Sequence, residues 1–150
     1  MQLSVDELME RAKQALLNAH APYSHFRVGA AVLAADGRVF TGANVENASY
    51  GLTICAERVA IVSAITAGAP DIVALAVTTE TPPSAASEAM PCGACRQVMA
   101  EFMRPDAVVH IDSVGERPLA ELLPDAFRLA RRWCRRTRSR LSACSLGSLD

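Results

Sequence analysis

Two uninterrupted apolar runs constrain this chain most. Val28 to Ala34 reads Val-Gly-Ala-Ala-Val-Leu-Ala, and Ile72 to Thr79 reads Ile-Val-Ala-Leu-Ala-Val-Thr-Thr. Neither alternates apolar with polar residues, so each predicts a strand buried on both faces. Such strands need a covering layer on either side of their sheet. The covering segments are legible. Leu8, Met9, Ala12, Ala15, Leu16 and Ala19 recur at helical spacing behind Ser4 and Glu7, which match a capping box, and that helix is expected to run to about His20 before Ala21-Pro22. Cys55 to Ala67 and Cys92 to Met103 have the periodicity of two further helices, and Leu119 to Leu123 that of a short one stopped by Pro124. Asp36-Gly37 marks a hairpin turn, Arg38 to Thr41 begins its return strand, and Ala107 to Ile111 is another strand. The long segments between, 42–53 and 80–90, read as loops.

The order helix, hairpin, helix, strand, helix, strand predicts an α/β fold with helices on both faces of one sheet. A chain of 150 residues suits a single domain with its own core. Residues are 51% hydrophobic but only 5% aromatic, so that core is built from small and branched aliphatic side chains. The formal charge of −1 gives no reason to expect a polyanionic partner, nucleic acid included. No cationic n-region precedes an apolar stretch at the N-terminus, and no apolar run approaches the ~20 residues that span a bilayer, so a cytoplasmic protein without membrane contact is expected. Composition shifts near Phe127. Residues 1–127 are expected to form the domain and 128–150, with Arg131, Arg132, Arg135, Arg136, Arg138 and Arg140, an arginine-rich extension. Such a charge run reads first as a solvated extension and second as a polyanion-binding arm.

Chemistry concentrates in three short segments, Cys55-Ala56-Glu57-Arg58, Pro91-Cys92-Gly93-Ala94-Cys95 and Asn44-Val45-Glu46-Asn47. Pro91-Cys92-Gly93-Ala94-Cys95 opens a helix and places two thiols on one face, as a metal pair or a redox pair would need. Cys55 opens the other long helix, so one fold could bring three thiolates between two helix N-termini, whose partial positive charge favours the ionised sulfur. Three protein ligands on zinc leave a fourth position for water, the pattern of a catalytic site. His20, His25 and His110 lack paired ligand spacing, and Cys134 and Cys144 lack matched partners. Glu57, two residues after Cys55, would point away from it in mid-helix, but at the first turn both can reach around the open end. Glu57 is therefore the candidate proton shuttle, and Arg58 a candidate to withdraw charge from ligand sulfur.

Taken together, Asn44-Val45-Glu46-Asn47-Ala48-Ser49-Tyr50-Gly51, Cys55-Ala56-Glu57-Arg58 and Pro91-Cys92-Gly93-Ala94-Cys95-Arg96-Gln97 resemble the cytidine deaminase family, in its short, three-cysteine, homotetrameric branch. Both halves of the C/H-x-E and P-C-x-x-C signature of zinc deaminases are present, in Cys55-Ala56-Glu57 and in Pro91-Cys92-Gly93-Ala94-Cys95. The resemblance implies a three-layer α/β/α sandwich with a mixed five-stranded sheet. It further implies one zinc ion per subunit held by Cys55, Cys92 and Cys95, and water-dependent deamination of cytidine and 2′-deoxycytidine in pyrimidine salvage, with Glu57 moving protons for zinc-bound hydroxide. It places Phe26 against the base, Asn44 and Glu46 on the ribose hydroxyls, the backbone of Ala56 at the pyrimidine edge, and Tyr50 and Phe127 in a neighbouring subunit's pocket. Arg27 stands where relatives commonly carry proline, and the segment after Phe127 departs from the family's glycine-proline turn. Three rivals remain at this point: a blasticidin-type aminonucleoside deaminase, which would need a different sugar-side loop; a nucleic-acid deaminase, which would need a basic groove; and a zinc-stabilised structural or thiol-redox module.

Overall fold

The structure is a computed structural model that describes residues 3–80, 84 and 86–129. Helix α1 spans Val5–Leu16 and begins at the expected capping box: Ser4 Oγ accepts from Glu7 N at 3.2 Å, and the Glu7 carboxylate accepts from Ser4 N at 2.8 Å. It ends a turn earlier than its apolar periodicity suggests. Leu17, Asn18 and Ala19 donate to carbonyls three residues back, so the chain tightens and leaves the α-helical path before Pro22.

Strands β1 (Val28–Ala34), β2 (Val39–Ala43), β3 (Ile72–Thr79), β4 (Met103–Ile111) and β5 (Gly115–Pro118) form one mixed sheet in the order β2-β1-β3-β4-β5. Only β3 and β4 run parallel, joined through helix α4 (Gly93–Phe102). The two apolar runs bury both faces as expected. Ala30, Val32, Leu75 and Val77 face α4, helix α2 (Ala56–Thr66) and the short α5 (Leu119–Leu122), while Ala31 and Ala76 face Leu8 and Ala12 of α1. This is the three-layer α/β/α sandwich with a mixed five-stranded sheet.

Small residues let the layers approach closely. A Cβ on Gly29 would lie 2.1 Å from Ala12 O, and one on Gly42 would lie 2.5 Å from both Ala56 O and Ala60 N. Backbone therefore touches backbone where α1 crosses β1 and where α2 crosses β2. The second contact sets the height of the N-terminus of α2 above the sheet.

Other elements also depart from the sequence reading. Strand β5, Gly-Glu-Arg-Pro, is largely exposed and has no apolar period; it exists because Val108, Val109, His110 and Ile111 of β4 pair with it. Strand β4 starts at Met103 rather than Ala107, extended by the pairing of Met103 with Ile72 across a register irregularity. A one-turn helix α3, Ala86–Ala89, interrupts the loop expected over 80–90. Among the described residues, no helix is long and apolar enough to cross a membrane. The extension expected over 128–150, with Cys134 and Cys144, lies outside the described residues apart from Arg128 and Leu129.

Candidate active site

Helices α2 and α4 both begin on a cysteine. Cys55 is the N-cap of α2 with extended backbone (φ −73°, ψ 154°), and Cys92 is the N-cap of α4 (φ −66°, ψ 165°). Cys95 follows in the first turn of α4 and is fully buried. The unpaired N–H groups and positive ends of both helices thus face the same sulfurs. Cys55 Sγ lies 3.9 Å from Cys92 Sγ, which lies 3.5 Å from Cys95 Sγ, and all three fall within 4.8 Å of one another. Zinc–sulfur bonds of about 2.3 Å in a tetrahedron separate sulfurs by about 3.8 Å, so this donor set suits zinc without rearrangement. No fourth cysteine, histidine or carboxylate among the described residues joins the group, so one coordination position stays open to water or substrate. The convergence of Cys55 on the Cys92/Cys95 pair also removes the reading of that pair as a simple redox dithiol.

Proton affinities follow from this crowding. The Cys95 thiol hydrogen-bonds the Cys55 sulfur and, helped by Arg58, lowers the Cys55 pKa to about 5. Cys95 is pushed far up by the same bond, by burial and by the Glu57 charge, so the two sulfurs share one proton that a metal would displace. Arg58 Nη2 donates to Thr53 O at 3.0 Å and to Cys55 Sγ at 3.5 Å, while its buried Nε has no partner. One guanidinium therefore sits against the Cys55 sulfur, where it would offset the negative charge of three thiolates once a metal displaced the shared proton.

Glu57 is 4% exposed. Because Cys55 lies outside the helix as its cap, the roughly opposed directions of residues two apart in mid-helix do not apply, and the Glu57 carboxyl reaches the Cys95 thiol. Burial raises its pKa, and the Cys55 charge adds to that; the hydrogen bond from Cys95 opposes it. A buried carboxyl with raised proton affinity beside three metal-binding sulfurs is suited to take and return protons.

The sugar-side candidates stand together on the loop after β2. Asn44 is 8% exposed, and its amide clamps the chain on either side of Arg27: Oδ1 accepts from Val28 N and Nδ2 donates to Phe26 O, each at 2.8 Å. Glu46 accepts from Tyr23 N at 2.9 Å, from Ser24 N at 3.2 Å and from the Ser24 hydroxyl. Those bonds, the Ser24 hydroxyl first, lower the Glu46 pKa and keep it an anion. Arg27 pairs with Glu80 at 3.8 Å, and Glu80 N donates to Arg27 O at 3.0 Å, so the segment carrying Phe26 is held from the end of β3 as well as by Asn44. Ala56 is buried at the first turn of α2. Tyr50 and Phe127 point outward, 74% and 71% exposed. A groove of about 730 Å³ bounded by Leu3, Leu33, Gly37 and Arg104 shares no residue with this centre.

Three residues in this network had no role in the sequence reading. Ser24 Oγ accepts from Phe26 N at 3.0 Å while donating to Glu46, linking the base-side and sugar-side candidates. Arg96 and Gln97 stand inside the P-C-x-x-C motif segment, yet their partners are carbonyls distant in sequence. No local pattern announces such bonds.

A buried carboxyl beside a three-sulfur centre with one open position, raised on two helix N-termini above a mixed sheet, defines the class: an enzyme built on a zinc centre that leaves room for water or substrate. Residues 3–111 match the cytidine and deoxycytidylate deaminase zinc-binding region. The chain is 49% identical over 124 residues to a cytidine deaminase of Halalkalibacterium halodurans, covering 80% of this chain and 91% of that one, and 46% identical over 122 residues to one of Mycobacterium tuberculosis, covering 81% and 88%. The crystal structure of the cytidine deaminase from Burkholderia pseudomallei superposes with a TM-score of 0.74 at 47% identity, covering 83% of this chain and all of that one. The chain belongs to this deaminase family and is a zinc-dependent deaminase.

Proposed function

We propose that the protein hydrolyses cytidine and 2′-deoxycytidine to uridine and 2′-deoxyuridine, releasing ammonia. The observation that carries this reading is the buried Glu57 carboxyl in contact with Cys95 of the Cys55/Cys92/Cys95 centre, in a chain whose relatives are named cytidine deaminases. Zinc, when bound by these sulfurs, supplies a Lewis acid that brings the pKa of a coordinated water toward about 7. The chain supplies the proton traffic. Glu57 takes a proton from the attacking water as its oxygen adds to C4, and delivers that proton to N3 of the ring. It then takes the remaining hydroxyl proton and gives it to the departing amine, so water's oxygen stays on the base and ammonia leaves. Burial serves both halves, since a carboxylate of raised proton affinity is a stronger base when ionised.

Around that step, Phe26 stacks on the pyrimidine, the Ala56 backbone meets its edge, and Asn44 and Glu46 bind the ribose hydroxyls. The exposed rings of Tyr50 and Phe127 suit walls of a neighbouring subunit's pocket, so a homotetramer with shared active sites is the working assembly. Residues 1–127 are the deaminase domain, 128–150 an extension, and the setting is cytoplasmic pyrimidine salvage. The decisive experiment follows the absorbance loss as cytidine becomes uridine, with zinc analysis of the same sample. A preparation holding one zinc per chain that releases no ammonia from either nucleoside overturns the reading.

A further inference from the structure

Two side chains on the turn after Cys95 reach carbonyls that are far apart in sequence. Arg96 Nε donates to Pro91 O at 2.7 Å, the peptide just before Cys92, and Arg96 Nη1 donates to Leu122 O at 3.0 Å, at the end of α5. Gln97 Nε2 donates to Phe127 O at 2.9 Å. Each bond has a structural logic. Pro91 is fully buried and fixes the entry to α4. Helix α5 is a single turn whose last carbonyls have no intrahelical partner, and a guanidinium is well suited to cap them. Beyond Pro124 the chain has no regular secondary structure up to Leu129, so Gln97 is the anchor that side-chain hydrogen bonding provides there among the described residues.

The placement of these bonds matters more than their number. Cys92 is half of the metal pair in α4, and its position depends on the Pro91 peptide that Arg96 grips. The same guanidinium holds the far end of α5, and the next side chain holds Phe127. We propose that Arg96 and Gln97 are positioning residues that join the metal-binding turn to segment 122–128, so that metal loading at Cys92 and Cys95 sets the placement of Phe127. The functional consequence rests on the pocket assignment made above for Phe127: a subunit that loses its metal would withdraw a wall from its neighbour's pocket. Without the metal nothing bonds the three sulfurs to one another, so the turn that carries Cys92 and Cys95 is less restrained, and the Pro91–Arg96–Leu122 bridge passes that freedom to segment 122–128.

The test is amide hydrogen exchange read by mass spectrometry on the full chain, zinc-loaded and chelator-stripped, with strand peptides over 28–34 and 72–79 as internal references. In the wild type, zinc removal is expected to speed exchange over 119–129 as well as over 91–97, by about tenfold, the scale on which one charge-assisted hydrogen bond shifts an opening equilibrium. Zinc-loaded Gln97→Met should show faster exchange over 124–129 with 91–97 unchanged, and Arg96→Lys, which can satisfy one carbonyl but not two, should retain only part of the coupling seen in wild type. Zinc-dependent change confined to 91–97 in the wild type overturns the proposal. If stripping loosens the reference strands too, the zinc-loaded Gln97→Met protein decides by itself, and wild-type exchange over 124–129 in that variant overturns it. Ammonia release from cytidine by the same wild-type sample reports separately on the enzymatic reading, so the two can fail independently.

Discussion

Gly42→Ala adds one carbon where α2 crosses β2. That carbon would lie 2.5 Å from Ala56 O and Ala60 N and 2.8 Å from Val59 Cβ. The first two are backbone atoms of α2, so no rotamer change relieves the clash. Real Cβ atoms essentially never come within 3.0 Å of such neighbours, so α2 must retreat by at least half an ångström, and by nearly one to reach ordinary contact at 3.4 Å. The retreat carries Cys55 and Glu57, at the adjoining N-terminus, away from Cys92 and Cys95, which α4 holds separately. Overpacking of this sort costs about 1–3 kcal/mol, and a group displaced by about 1 Å costs on the order of 10²-fold in rate. The expected protein melts several degrees lower, binds zinc more weakly in chelator competition, and turns over cytidine about a hundredfold more slowly. Gly51→Ala is the control, because nothing lies within 4 Å of the added carbon there, and it should match the wild type in all three measurements. Calorimetry, metal titration and initial rates on the three proteins suffice. A Gly42→Ala enzyme with unchanged melting, zinc affinity and turnover refutes the argument that this contact seats the catalytic helix.

Glu57→Gln keeps shape and charge-free hydrogen bonding but cannot shuttle protons, so it should retain zinc and fold while kcat falls by about 10²–10⁴ or more; substantial turnover in that variant defeats the assignment. The same substitution has a pH signature in metal-free protein. Burial raises the Glu57 pKa above its ordinary 4.5, so the folded state holds that proton to higher pH than the unfolded chain does. The stabilising contribution is complete below about pH 4.5 and is lost as pH rises through the folded value. Metal-free wild type should therefore weaken relative to Glu57→Gln on going from acid to neutral pH in denaturant titrations, and parallel curves would contradict it. Cys92→Ala removes one of three sulfurs and should purify without stoichiometric zinc; a fully metallated, active variant would rule out the ligand set. Ser24→Ala breaks the link between Phe26 N and Glu46, and should raise KM about tenfold with little change in kcat, as loss of a ground-state binding contact does.

What could be read without coordinates was whatever depends on near neighbours in the chain. The runs Val28–Ala34 and Ile72–Thr79 announce buried strands because their apolarity is local, and β1 and β3 have those bounds. Ser4 and Glu7 announce a helix start because a capping box closes within four residues. Residue chemistry also marked the centre: thiols at two helix beginnings, one with an acid two residues on, suit a zinc site with a proton shuttle. By contrast, β5 has no pattern of its own and is a strand only through β4.

The sequence alone determined which atoms are available to bind a metal and which group can move a proton, because donor type and ionisation belong to individual residues. Tertiary structure alone decided that Cys55 Sγ comes to 3.9 Å from a sulfur 37 positions away, that Glu57 is buried beside them, and that Arg96 and Gln97 grip Leu122 and Phe127. Those separations depend on how closely helices dock on a sheet, which is set at Gly29 and Gly42 by backbone meeting backbone across distant stretches of chain. Local periodicity carries no information about such contacts.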